Sequence, residues 1–453
     1  MNSVVMLKND ADGLTRDTYL QSLLHQGDRR RAAAEKNDFL VKLRQQGSNQ
    51  VKQSRLPHKR DEEWLFTDLS DLVKVDFRPA QPMTLNQDVL NQFILEEATQ
   101  TRLVFVNGIY TSELSDLSAL PQGIFVGNLG HLAAEQKDKL QHYLGQQEGS
   151  DEVFTALNTS GLEDAAIVWV EANTVVTTPI HLLFLSVVSP HPSLIQPRIL
   201  VITEPHSVLT LAESYGTVTD TCSDRPQHRP YFTNTVTEIF LGQNSRLTHI
   251  RNQRESADSF HIAKTAIAQE RDSAYRLFEI NLGAKLYRHH LNVVQQGEHT
   301  QTDLFGLTII AGRQVSDTHS LIQLRHPQGV TNQLHKCIVD DYAHAVFSGK
   351  VFVPKAAQMT NANQLNRNLV LSPKGRVNTK PELQISADNV KCSHGATVSQ
   401  LEADEIFYLR SRGLNDYDAR HLLIDAFAGE ILDQIPLPSL QQRLGQCIAC
   451  RTI

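Results

Sequence analysis

A chain of 453 residues exceeds what one compact hydrophobic core usually holds, so two or three structural regions are expected. With 40% hydrophobic and 21% charged residues, the composition is that of an ordinary soluble folding chain and excludes a fibrous or largely disordered one. The formal net charge of -7 opposes the basic footprint that nucleic-acid phosphates require, and the longest apolar stretch, around Ile180 to Val188, is too short to span a bilayer.

Met1 to Gly13 holds Lys8, Asp10 and Asp12 but no basic stretch leading into an apolar run, so neither a secretory signal nor a transit peptide is expected. The five cysteines, Cys222, Cys337, Cys392, Cys447 and Cys450, are odd in number and unevenly spread, which suits a reducing cytoplasmic setting rather than a disulfide framework. From Leu14 to about Leu56, Tyr19, Leu20, Leu23 and Leu24 and then Phe39, Leu40 and Leu43 fall at helical spacing. The charged run between them, Arg29-Arg30-Arg31 included, reads as a solvated face. Pro57 to Asp61 breaks the pattern, and Trp64, Phe66 and Leu69 begin a more compact segment. Leu103 to Val106, ended by Asn107-Gly108, predicts a strand and turn.

After about Phe154 helical spacing gives way to short β-rich runs divided by Gly, Asn, Asp and Pro: Ile167 to Val170, Ile180 to Val188, Val208 to Leu211, Thr237 to Leu241 and Arg276 to Leu282. In the last of these Phe278, Ile280 and Leu282 alternate with Leu277, Glu279 and Asn281, which predicts a strand with one buried face. Similar runs continue through Leu304 to Ile310, Leu321 to Leu324, Val346 to Val353 and Leu369 to Leu371. So many strands without a long intervening helix point to a sandwich, a barrel or a β-helix, and periodicity does not choose among them. Near Gly395 the texture turns helical again. Leu401, Glu405, Phe407 and Leu409 predict a short helix stopped by Gly413. Asn415 or Asp416 can cap a second helix carrying the stripe Ala419, Leu422, Leu423, Ala426, Phe427 and Ile431, and a Pro-containing tail follows from Pro436.

No GxxxxGK[ST] loop, GxGxxG turn, GxSxG elbow or HExxH helix is present, so no ATP site of the phosphate-loop kind is expected on this chain. The most informative constellation is Val390-Lys391-Cys392-Ser393-His394-Gly395. If it is extended, Cys392 and His394 share one face, and thiolate with imidazole suits iron, zinc or an iron-sulfur centre. The alternative is a buried Cys beside a hydrogen-bonded structural His. Two ligands fall short of the four a cluster commonly needs, so a cluster here would borrow ligands from another chain. His335 and Cys337 repeat the spacing, with strand packing the favoured account. His289 and His290 would point to opposite faces of a strand. The CxxC of Cys447 and Cys450 lies in the terminal tail without a second pair, and reads as an incidental or accessory thiol pair.

The run Asp388-Asn389-Val390-Lys391-Cys392-Ser393-His394-Gly395-Ala396-Thr397-Val398, followed by Ile406-Phe407-Tyr408-Leu409-Arg410-Ser411-Arg412-Gly413, closely resembles the C-terminal signature of the SufD family of the SUF iron-sulfur cluster assembly system. So does the stretch from Phe347-Ser348-Gly349-Lys350-Val351 through Ala357-Gln358, Thr360, Ala362 to Gln364, Asn368-Leu369 and Leu371-Ser372. Weaker matches at Trp64 with Thr67, Phe154 to Asn158 and Pro179-Ile180 extend the resemblance over most of the chain, while residues 1–60 carry little of it. The related SufB has an acidic EHEAT-like sequence where this chain has Cys392 to Thr397, which favours SufD.

The resemblance implies a mixed α and β fold, a right-handed parallel β-helix core flanked by helical regions, and thereby a mainly helical N-terminal domain over residues 1–153, a core over 154–396 and an ATPase-docking helical domain over 397–453. It implies a non-enzymatic scaffold that pairs with SufB through the β-helix and binds the ATPase SufC through its C-terminal helices, with Phe407, Leu409, Leu422, Leu423, Ala426 and Phe427 as the docking residues. A homodimer of the isolated chain stays open. It also implies a transient iron-sulfur cluster shared with SufB. His394 matches the family's cluster-assembly histidine and Cys392 the adjacent cysteine, whereas the terminal CxxC has no counterpart. The competing readings are a purely architectural subunit and a carbohydrate-active β-helix enzyme, which would need convergent carboxylates along an open groove.

Overall fold

The β-rich runs pair in parallel, each with the run two places before it, so that the chain winds as a coil of two sheets. The computed structural model describes residues 18–24, 38–219 and 226–451; Met1 to Gly13, Arg29-Arg30-Arg31 and Cys222 lie outside the described residues. One sheet stacks Ala166–Val170, Arg198–Thr203, Tyr231–Leu241, Phe260–Gln269, Leu286–Gln295, Val315–Gln323, His344–Val353 and Arg376–Ile385. The other stacks Arg102–Val106, Ile180–Val187, Val208–Val218, Arg246–Arg254, Ala274–Asn281, Gln301–Ile310, Val330–Val339, Asn361–Val370 and Lys391–Ser399. This is a parallel β-solenoid of about eight turns with helices at both ends. Of the three β architectures the sequence leaves open, it is the β-helix.

Tight corners carry the chain from one sheet to the other, and several rest on one residue in the left-handed region, among them Asn244 (φ 55°), Asp272 (φ 58°) and Asp341 (φ 51°). Asn and Asp tolerate that conformation because their short side chains bond locally. The Asn107-Gly108 turn, with both residues at positive φ, closes a hairpin between Arg102–Val106 and Ile109–Tyr110.

Helices cover both outer faces. Helix Asp38–Gln53 lies on Val153–Ser160, and the approach requires Gly47, where a Cβ would stand 2.7 Å from Ser160 N and 2.8 Å from Ala156 O. On the opposite side Ala403–Ser411, Asp416–Leu432 and Pro438–Arg451 follow in sequence. Gly413 ends the first at φ +101°, and the Asn415 side chain caps the second by accepting from Asp418 N at 2.8 Å.

Two expectations are corrected here. The tail from Pro436 is a third helix, because Pro438 sits at a helix start where its missing N–H costs nothing, and Leu440, Leu444, Cys447 and Ile448 supply an apolar stripe. Strand Ala274–Asn281 is buried on both faces, not one: Phe278 and Ile280 lie beneath Ile424, Ala428, Ile431 and Leu444 of the C-terminal helices, while Leu277 and Glu279 face the solenoid interior.

The interior holds a buried polar network among its apolar residues. Glu213 accepts from Arg251 Nε at 3.0 Å, from Tyr215 at 2.8 Å and from His249 Nε2 at 3.1 Å. Arg251 also donates to Tyr287 at 2.6 Å and to His261 Nε2 at 2.7 Å. An accepting Nε2 leaves the proton of a neutral His261 on Nδ1, which faces Glu255. Glu279 accepts from Tyr287 at 2.6 Å and from His289 Nδ1 at 2.8 Å.

Burial pushes the Glu213 carboxyl up, but the His249 hydrogen bond and the Arg251 guanidinium outweigh it and hold it at about 2. Burial pushes the His261 and His289 imidazoles down despite their carboxylate partners. In all three cases the unfolded chain binds more protons than the folded one, so stability falls as pH falls. The loss begins as pH drops below about 6.5 for the histidines and continues below about 4.5 for Glu213. Differential scanning fluorimetry should therefore show a steadily falling melting temperature from pH 7 to pH 4, and a flat profile would contradict the network. Replacement of Arg251 by Leu takes the guanidinium away from the buried Glu213 carboxylate and should cost about 3–5 kcal/mol in urea unfolding.

Candidate functional site at the open solenoid end

The final rung of a solenoid has nothing beyond it, and what its residues expose follows from the register of the rung before. Among the described residues strand Lys391–Ser399 pairs only with Asn361–Val370, setting Cys392 against Ala362 and His394 against Gln364. Ala362 and Gln364 are each 1% exposed. The same columns reach the surface at the last rung, so Cys392 is half-buried against the interior cluster and His394 is exposed. Two-residue spacing on an extended strand puts both on one face. The companion edge strand, Arg376–Ile385, carries Pro381 opposite Gly349.

Burial raises the Cys392 thiol, partly offset by a backbone hydrogen bond from Ala362. The imidazole of His394 makes no hydrogen bond among the described residues, so in its neutral form the unprotonated ring nitrogen is free to bind. Among those residues no group of three or more His, Cys, Asp or Glu side chains is placed to hold a metal ion. Cys392 and His394 thus offer a thiol and an imidazole, groups of soft and intermediate ligand type, on one face with no third such group beside them among the described residues.

Beneath His394 lies a built floor. Gln364 Nε2 donates to Gln333 Oε1 at 2.8 Å and Gln333 Nε2 donates to Ser320 Oγ at 2.9 Å, while Gln364 Oε1 is buried without a partner among the described residues. A Cβ at Gly349 would overlap the Gln364 amide and stand 2.8 Å from the Phe347 ring, so only glycine admits this arrangement. Phe347 in turn stacks on His335 with centroids 5.0 Å apart. The motif residues Phe347, Gly349 and Gln364, scattered along the sequence, converge under the open rung.

The other thiols and imidazoles are packed away. Burial pushes the His335 imidazole down to about 4 and the Cys337 thiol up to about 12, which leaves the pair as packing groups without a reactive thiolate. His289 faces the interior and His290 the opposite side, 3.1 Å from Glu152. Cys447 is buried on the inner face of the last helix, and the side chain of Cys450 lies outside the described residues.

The six expected docking residues divide. Phe407 is 73% and Leu422 49% exposed, and Ala426 is exposed with them; Leu409 and Leu423 are half-buried. Phe427 turns toward the solenoid, its ring 4.3 Å from Lys336 Nζ, which also donates to the Phe427 carbonyl at 2.7 Å. Tyr408 and Tyr417 of the same helices are exposed as well. The interior network was missed as well. Its only sequence signal is His249, Arg251 and Gln253 at alternate positions of one strand, and Glu213, Glu255 and Glu279 converge inside the solenoid rather than along an open groove.

Comparison with known proteins agrees with this geometry. Residues 186–427 match the SUF system FeS cluster assembly SufBD core domain, and residues 15–182 match the SufBD protein N-terminal region. The chain is 61% identical, over 98% of its length and 99% of the relative's, to an iron-sulfur cluster assembly SufBD family protein of Synechocystis. It is 34% identical to the chloroplastic protein ABCI7 of Arabidopsis thaliana, over 88% of this chain and 83% of that one. It is 29% identical to the iron-sulfur cluster assembly protein SufD of Escherichia coli, over 89% and 92%. With both family regions matched in order along a two-sheet solenoid, the chain belongs to the SufBD family of SUF-system iron-sulfur cluster assembly proteins.

Proposed function

We propose that this chain is the SufD-type scaffold of a cytoplasmic SUF complex, pairing with SufB through the solenoid and holding the ATPase SufC on its C-terminal helices. The observation that carries the reading is the uncovered last rung: two edge strands lacking an outer neighbour, with Cys392 and His394 on one face and too few ligands to complete a site. A second solenoid of the same family, docked edge to edge, supplies both the missing backbone partners and the missing ligands. The nascent cluster is cargo shared across that junction, with His394 ligating iron or steering sulfide and Cys392 as its neighbour. In the isolated chain the same edge serves a homodimer.

The proposed division is a mainly helical N-terminal domain over residues 1–153, a β-helix core over 154–396 and an ATPase-docking helical domain over 397–453. The exposed group Phe407, Leu422 and Ala426, with Leu409 and Leu423 behind it, suits a partner groove, and Phe427 acts by anchoring the helix to the solenoid. Hydrolysis belongs to the partner ATPase, since no phosphate loop occurs in the chain.

Three measurements test this. His394→Ala, co-expressed with SufB and SufC, should lower iron and sulfide content per complex at least severalfold while all three subunits still co-purify; an unchanged cluster yield would remove His394 from the assembly site. Phe407→Asp with Leu422→Asp should abolish SufC retention in a pull-down yet leave SufB bound and the melting temperature within a few degrees, because both side chains are already solvent-facing. Point variants are preferable to truncation, which would strip the cover from Phe278, Ile280 and Ile309. The purified chain alone should hydrolyse no ATP above a mock preparation, and turnover that follows it through several columns would contradict the assignment.

A further inference from the structure

A cavity of about 320 Å³ lies between the last helix, the segment around Gln87–Asn91 and the outer face of strands Val208–Val218 and Arg246–Arg254. Its walls combine apolar groups, Phe93, Leu95, Leu183, Leu440 and Leu444, with two arginines, Arg254 and Arg443, and its described lining contains no Asp or Glu. Arg443 is partly answered: it donates to the carbonyls of Gln92, at 3.2 Å, and Ile94, and its charge helps hold down the Glu97 carboxyl, which also accepts from Ser439 N at 2.8 Å. Arg254 is not. Its Nε is buried with no acceptor, and its guanidinium forms no ion pair among the described residues. Two residues earlier on the same outward face, Asn252 Oδ1 is likewise buried and unpartnered.

Arg254 is only half-buried, but a guanidinium Nε buried without an acceptor is uncommon in a folded protein, and an oxyanion is the group that satisfies the planar donors two at a time. The volume is that of a small-molecule site, and the apolar walls fit a compact hydrocarbon or aromatic body. We propose that this cavity binds a small organic anion, its phosphate or carboxylate head on Arg254 and Arg443 and its apolar body against Phe93, Leu183 and Leu440. The site lies on the outer face of the solenoid, apart from Cys392 and His394, and does not depend on their role.

The test is isothermal titration calorimetry of the full chain with phenyl phosphate, benzoate and phenol, at constant ionic strength set with sodium chloride. Saturable binding of phenyl phosphate or benzoate is expected, with phenol silent, and whichever anion binds identifies the head group. Arg254→Gln should weaken that binding at least about tenfold, the loss expected for one charge-assisted hydrogen bond. Without ligand the same variant should melt no lower than wild type, since it removes a cation that no carboxylate answers among the described residues, and the anion should raise the melting temperature of wild type more than that of the variant. No saturable heat from either anion at millimolar concentration, equal binding by phenol, or unchanged affinity in Arg254→Gln would each overturn the proposal.

Discussion

Everything in this molecule depends on the in-register parallel ladder. A parallel strand satisfies its backbone donors and acceptors only when a neighbour lies on each side, so a solenoid is internally complete at every rung except the first and last. The two ends are treated differently. At the N-terminal end an antiparallel strand, Ile124–Asn128, closes one sheet on Ala166–Val170, and the hairpin strand Ile109–Tyr110 closes the other. At the C-terminal end neither Arg376–Ile385 nor Lys391–Ser399 has an outer neighbour among the described residues. The residues with ligand chemistry stand on that unfinished end, and the asymmetry gives the molecule a direction.

The ladder also decides what lies inside. Register sets Glu213 beside Arg251 and Arg251 beside Glu279, so three successive rungs alternate in charge and each carboxylate faces a guanidinium instead of its like. Histidines and tyrosines from both sheets complete the hydrogen bonds. Such an interior stabilises less than a purely apolar one of equal volume would, but it penalises any slip of register, because a one-residue shift would turn every charge outward and leave its partners buried alone.

The strand runs, the Asn107-Gly108 turn and both hairpin helices were legible because each depends on local chemistry: β-branched runs, positive-φ residues and caps. The shared face of Cys392 and His394 was legible for the same reason, since spacing on a strand fixes the side. The choice of a β-helix over a sandwich or barrel was not, because strand periodicity is common to all three, and only the motif resemblance decided it. What failed depended on contacts distant in sequence. Burial of both faces of Ala274–Asn281 requires helices more than a hundred residues downstream. The third helix was hidden by reading Pro436 as a terminator when Pro438 starts a helix.

Pro381 gives the unfinished end a further property. A proline in an edge strand withholds one amide hydrogen from whatever would add there, whereas the companion edge Lys391–Ser399 contains none. A solenoid with two fully competent edges would be a seed for end-to-end growth, each added copy offering the same template to the next. With one edge chemically spoiled, a rung can be continued cleanly along one sheet only. At this end of the coil one sheet edge is thus chemically blunted against extension while the other is left open.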